Sequence, residues 1–111
     1  MKYCMTQVKL VKLKLKEGSK QLWLDWCEEL KNRKDEVIET LKHEGVLSES
    51  CFLSEDERCV YYFMEAESFA KANAAVKKSN FTIDAEHQEK RMLSFEKVSQ
   101  LQELYHFENR H

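Results

Sequence analysis

Between Val8 and Lys16 the chain alternates: Val11, Leu13 and Leu15 are separated by Lys12, Lys14 and Lys16, the period-two pattern of a strand with one buried face. Val8 and Leu10 belong to the same strand on the other parity, which predicts a bulge near Leu10. The period then changes. After Gly18, Ser19 is a natural N-cap, and Trp23, Trp26, Cys27, Leu30, Val37, Ile38 and Leu41 recur at spacings of three and four, interrupted by the polar residues 33–36. This predicts one amphipathic helix of about 25 residues with Gly45 as its C′ stop.

Residues 46–54 and 58–65 read as strands joined by the acidic turn Glu55-Asp56-Glu57, and so short a connection makes them an antiparallel hairpin. Ser68 or Glu67 opens a second helix bearing Phe69, Ala72, Ala75 and Val76 and ending near Asn80. Asp84 caps a further short helix with Met92 and Phe95, and Leu101, Glu103, Tyr105 and Phe107 alternate in a closing strand. The order β-α-β-β-α-(α)-β is the α+β, ferredoxin-like arrangement: a four-stranded antiparallel sheet with helices on one face, its first and third strands central, and an extra short helix before the last strand.

That placement has a consequence for the lysines. If Val11, Leu13 and Leu15 pack under the helices, Lys12, Lys14 and Lys16 leave the uncovered face. Burying unpaired charge costs several kcal/mol per group, so that face is wet, lined with acids, or occupied by an anion. Glu49 on the hairpin and Glu103 on the last strand are candidates to neutralise the row. Tyr61 and Tyr62 are adjacent on a strand, so one points into the core and the other outward, where it donates to a ligand or packs on a partner's sheet.

Composition narrows the classes. A chain of 111 residues, 42% hydrophobic, closes a single domain over 1–111. The net charge of -2 is unevenly spread: residues 1–20 hold six lysines against one acid, leaving -7 for the remainder. A basic face on an acidic body attracts anions or pairs with a second copy of itself. The start MKYCMTQV lacks a signal-like apolar stretch, and no segment approaches the roughly 18 apolar residues of a membrane span; a cytoplasmic protein without a membrane partner is expected. Cys4, Cys27, Cys51 and Cys59 form no C-x-x-C pair, which argues against a zinc knuckle or thioredoxin-like site. Cys51 and Cys59 flank the hairpin turn, placed either to face each other as a disulfide or to act as small apolar fillers. The two glycines stand 27 positions apart, which excludes phosphate-cradling loops, and H-E-x-x-H, EF-hand and G-x-S-x-G patterns are absent. No cofactor and no metal site are expected.

The run WCEELKNRKDEVIETLKHEG from Trp26 to Gly45, the hairpin ESCFLSEDERCVYYFMEAES and the later IDAEHQEK resemble a family of small, functionally uncharacterised bacterial domains, over nearly the whole chain. That family is similar in turn to the dimeric α/β-barrel superfamily, which includes small monooxygenases, haem-degrading enzymes and sugar mutarotases. The resemblance implies a homodimer whose sheets pair open face to open face around a polar cavity.

The polar candidates follow. His87 stands one turn into the helix of Asp84, with Arg91 at i+4; a histidine beside a carboxylate serves as a general base near neutral pH, and the resembling family also has a histidine after an Ile-Asp pair. The alternative is a surface helix histidine. His87 and Tyr62 form the candidate catalytic pair, and Lys12, Lys14, Lys16, Glu49, Tyr61 and Glu103 the candidate ligand-binding set. Trp23 and Trp26 read as core. The leading expectation is a homodimeric binding or structural domain whose inter-sheet cavity takes a small polar or anionic molecule. The alternative is a cofactor-independent oxygenase or mutarotase using His87, a tyrosine and an acid. Third comes RNA binding on the open sheet through the lysines and a tyrosine, which the missing RNP-type pattern and a pI of about 6.1 disfavour.

Overall fold

Alternation along the first strand decides which side of the sheet is covered. A computed structural model describes residues 5–110; Cys4 lies outside them. In chain order it contains β1 (Gln7–Leu15), α1 (Lys20–Asn32), α2 (Lys34–Glu44), β2 (Val46–Leu53), β3 (Cys59–Ala66), α3 (Phe69–Lys77), α4 (Thr82–Ser94) and β4 (Phe95–Gln100). The strands form one antiparallel sheet in the order β2-β3-β1-β4. The first and third strands are therefore central, and the α+β ferredoxin-like arrangement holds.

Cross-strand partners share a face. Lys9 opposite Met64, Val11 opposite Tyr62 and Leu13 opposite Val60 form the helix side, continued on β2 by Glu49 and Cys51. Leu10 opposite Phe63 and Lys12 opposite Tyr61 form the open side. Under the helices, Leu13, Leu15, Trp23, Trp26, Val60, Ile83 and Phe95 make the main core, and Val46, Ala66 and Ala72 a smaller one. Leu13 is 1% exposed, a burial worth about 1.5–3 kcal/mol for a leucine. Both tryptophans are core, as their spacing required, with Trp23 edge-on to Phe95 at 4.7 Å.

Several expectations are corrected. The predicted long helix is two helices, broken at Arg33 (φ -116°, ψ 37°), which ends α1 and starts α2. Its guanidinium binds Glu29 and Glu36 on those helices and Glu86 on α4, so the break lets one side chain tie three helices. Gly45 stops α2 as expected, at φ 74°. The ladder between β1 and β3 is regular through Leu10; the shift falls at Lys14/Leu15, against β4. The helix before the last strand is 13 residues long and starts at Thr82, and Phe95 belongs to β4. Residues 101–110 are not a strand: after Leu101 N–H bonds the Leu10 carbonyl the chain leaves the sheet. It returns where Glu108 accepts from the Thr6 N–H at 2.9 Å, while Arg110 pairs with Glu65 at 2.7 Å.

Candidate functional site

The space between sheet and helices is incompletely filled. A cavity of about 650 Å3 lies there, walled by Val11, Leu41, Met64, Phe69 and Phe81 and bearing Tyr62, His87, Glu49, Asp84 and Arg91. A second cleft of about 570 Å3, towards α1 and β2, shares Leu30, Glu49 and Tyr62 with it. Both volumes fall in the range of small-molecule sites.

At the junction three side chains from three elements form a chain of hydrogen bonds, with a carboxyl group from a fourth beside it. Trp26 on α1 donates its indole Nε1–H to His87 Nδ1 on α4 at 2.9 Å. An indole nitrogen only donates, so Nδ1 carries the lone pair and Nε2 carries the proton. His87 Nε2 meets the Tyr62 hydroxyl at 3.4 Å, and Glu49 on β2 lies close enough to the phenol to act on its ionisation. Donation thus runs Trp26 to His87 to Tyr62, with the Glu49 carboxyl beside the phenol. Burial dominates every titration here. It lowers the His87 pKa to about 4, with Arg91 adding to the effect and Asp84 opposing it. It raises Glu49, against the nearby Tyr62 hydroxyl and the Arg91 charge, and it pushes the Tyr62 phenol well above its ordinary value, helped by Glu49. At neutral pH the ring and the phenol are uncharged.

This arrangement alters the role expected of His87. With Nδ1 occupied by Trp26, the ring presents a donor to Tyr62, and Glu49 is the member able to take a proton. Asp84 does not cap α4, whose N-cap is Phe81; its carboxylate accepts from Thr40 on α2 at 2.7 and 2.8 Å and from Ser79. Arg91, in the last turn of α4, faces the cavity without an ion-pair partner among the described residues.

The structure brings Tyr62, His87 and Glu49 together, on the helix side and not on the open face where Glu49 was expected. Glu49 is held there by the register of the hairpin, which places it opposite Met64. Tyr61, Lys12 and Lys14 do lie on the open face, where Lys14 pairs with Glu96 of β4 at 3.2 Å. Lys16 falls beyond β1 and donates to the Met92 carbonyl at 2.8 Å, near the C-terminus of α4, a favoured place for a cation. Glu103 sits exposed on the tail beyond β4, remote from the role of neutralising the lysines. Cys51 lies opposite Tyr62, and Cys59 opposite Lys14, on different faces of the sheet; the disulfide between them is ruled out, and both are free thiols. Trp26 was legible as core but not as the partner of His87; the only signal was that a buried indole N–H needs an acceptor. No helix of the described residues is long and apolar enough to cross a membrane, and no cluster of three or more metal-binding side chains occurs among them.

With this geometry in view, residues 6–109 match the family described as a family of unknown function, DUF6176. The chain belongs to that family. Similar solved structures include PA3566 from Pseudomonas aeruginosa (14% identity, TM-score 0.59, covering 94% of this chain and 100% of that one). Another is protein SO0527 from Shewanella oneidensis (16% identity, TM-score 0.58, covering 89% of each). At such identities the likeness shows a shared fold. None of the curated proteins matches the chain.

Proposed function

We propose that this chain is a homodimeric binding domain that takes a small, largely apolar molecule with an anionic group into the cavity between its sheet and its helices. The observation that carries the reading is the Trp26–His87–Tyr62 hydrogen-bond chain, with Glu49 beside it, set into an apolar wall, next to a guanidinium with no ion-pair partner among the described residues. Pockets of this kind fix a ligand's orientation with a few polar groups while apolar walls supply affinity. Arg91 suits a carboxylate, and Tyr62 suits a second oxygen. Thermal-shift titration with aromatic and aliphatic carboxylates, each beside its neutral amide, tests it. The acids are expected to raise Tm and the amides not, with the effect lost in Arg91→Gln; stabilisation by neither set, or equally by both, defeats the reading.

The dimer rests on the open face and the tail. Tyr61, Phe63 and Lys12 line an uncovered sheet surface, and Leu104, Tyr105 and Phe107 are 85%, 74% and 83% exposed, the two rings stacked at 5.0 Å. Exposed apolar groups so concentrated mark association surfaces, and pairing of open faces is the mode of the dimeric α/β-barrel superfamily that the chain resembles. Light scattering behind size exclusion should give twice the 13.3 kDa of the chain.

A second reading, an enzyme of the cofactor-independent oxygenase kind, is favoured by one feature: a buried carboxylate of raised pKa on the same cavity as the His87–Tyr62 pair. Glu49 would take a proton from an acidic phenol, and Tyr62 and His87 would stabilise the resulting charge. Oxygen uptake with an electron-rich hydroquinone, slowed at least tenfold by Glu49→Gln, supports it; uptake equal to that of the protein-free solution ends it.

A further inference from the structure

The wall shared by α1 and β2 carries a different chemistry, independent of the ligand reading above. Cys27 on α1 and Cys51 on β2 line the same cleft, each thiol close enough to act on the other's ionisation, and both are free. β2 is an edge strand, Cys51 is exposed and Cys27 half-buried, so a small solute reaches both. Two free thiols brought from separate elements to one cleft are the starting arrangement for a disulfide.

We propose that Cys27 and Cys51 form a peroxide-reactive dithiol, Cys27 attacking and Cys51 resolving. The pair is asymmetric in the required sense. The neighbouring Cys51 thiol, together with the ammonium of Lys31, which stands one helical turn along α1 on the same cleft, holds Cys27 below the ordinary thiol pKa despite burial and Glu28. The Cys27 sulfur and burial push Cys51 upward. The Cys27 thiolate attacks the terminal oxygen of a hydroperoxide; the O–O bond breaks, the alcohol or water departs with a proton, and the sulfur, oxidised by two electrons, becomes a sulfenic acid. The Cys51 sulfur then attacks that sulfur, and its proton leaves with the hydroxyl as water. Two thiols and one hydroperoxide give a disulfide, an alcohol and a water, and a dithiol reductant restores the pair. Since Cys51 lies opposite Tyr62 and the cleft shares Glu49 with the main cavity, the bond would brace α1 against the strand that carries Glu49.

Trypsin separates the residues concerned, because Cys27, Cys51 and Cys59 fall in the peptides 21–31, 43–58 and 59–71. Reduced protein given one equivalent of hydrogen peroxide should lose about 2 Da and yield the first two peptides joined. In Cys51→Ser the reaction should stop at a sulfenic acid on Cys27, about 16 Da heavier and trapped by dimedone, while Cys59→Ser behaves as the natural chain. No mass change, a disulfide that includes Cys59, or equal peroxide reactivity of Cys27 and Cys59 overturns the proposal. The peptide map of the unsubstituted protein decides the matter even if a variant fails to fold.

Discussion

The two sides of this sheet are built from neighbouring residues and behave as different solvents. On β3, Val60 and Tyr62 face the helices while Tyr61 faces out opposite Lys12. Tyr62 titrates far from its ordinary value because burial and Glu49 disfavour the phenolate, and His87 on the same side stays neutral to about pH 4. Across the sheet, Lys14 and Glu96 form their ion pair with side chains 58% and 45% exposed, where such a pair contributes at most about 1 kcal/mol. A one-residue step in the pleat therefore separates groups whose ionisation is governed by burial from an ion pair standing in water.

The largest effect expected from that contrast is in stability. Leu13→Ala, on the covered side, should cost about 2–5 kcal/mol, whereas Lys12→Ala, one residue away and exposed, should change it by no more than about 0.5 kcal/mol. Denaturant unfolding of the two variants measures both. Equal losses would mean that the sides are wrongly assigned.

Acid should find the same boundary. Between an unfolded value near 6.5 and a folded value of about 4, the unfolded chain binds a proton on His87 that the native chain does not. Stability from this group is thus full above pH 6.5, falls as pH drops through 6.5 to 4 by on the order of 3 kcal/mol, and is level below. Glu49 acts in the opposite sense: its raised pKa lets the native state hold a proton that the unfolded state has released, so it favours the fold as pH falls. Asp84 and Arg91 also act on the ring, and comparison with His87→Gln isolates the histidine. By NMR the His87 ring protons should titrate near pH 4; a midpoint near 6.5 would put the ring in water.

Trp26→Phe sharpens the comparison from within the covered side. It keeps a ring in the core but removes the donor to His87 Nδ1, leaving a buried acceptor unpaired at a cost of about 1–2 kcal/mol. A structural role alone predicts only that loss. Loss of the fixed tautomer, seen as a change in the imidazole 15N shifts, is the signature of positioning.

What the sequence revealed and what it hid divide along the same line. Parity in β1, the Gly45 stop, the Ser68 cap (its Oγ accepting from Lys71 N–H at 3.3 Å) and the hairpin depend on neighbours a few residues away, and all were legible. The break at Arg33 was not, because arginine is a good helix former and one of its acceptors, Glu86, comes from α4. Glu49 sits between Ser48 and Ser50 and reads as solvent-facing, yet its register sets it opposite Met64. The alternation over 101–107 promised a strand, but a strand needs a partner, and that segment's pairing with β1 ends where the Leu101 N–H meets the Leu10 carbonyl. The site needed three long-range facts at once: that Trp26, His87 and Tyr62 converge from α1, α4 and β3.

The smallest expected change in folding carries the sharpest information about the open side. Charge reversal of Lys12 and Lys14 together should shift the unfolding free energy of the isolated chain by about 0.5 kcal/mol or less, with the Lys14 part fading in salt. If a second copy covers that face, the same variant gains two acids next to whatever the partner places there, and the dimer should weaken by at least tenfold in dissociation constant. Dilution experiments by light scattering read the second quantity and denaturant the first. Association unchanged in a variant of unchanged stability would leave the helix side intact as a binding site while removing the open face as the dimer interface, because Trp26, His87, Tyr62 and Glu49 all lie on the helix side of the sheet.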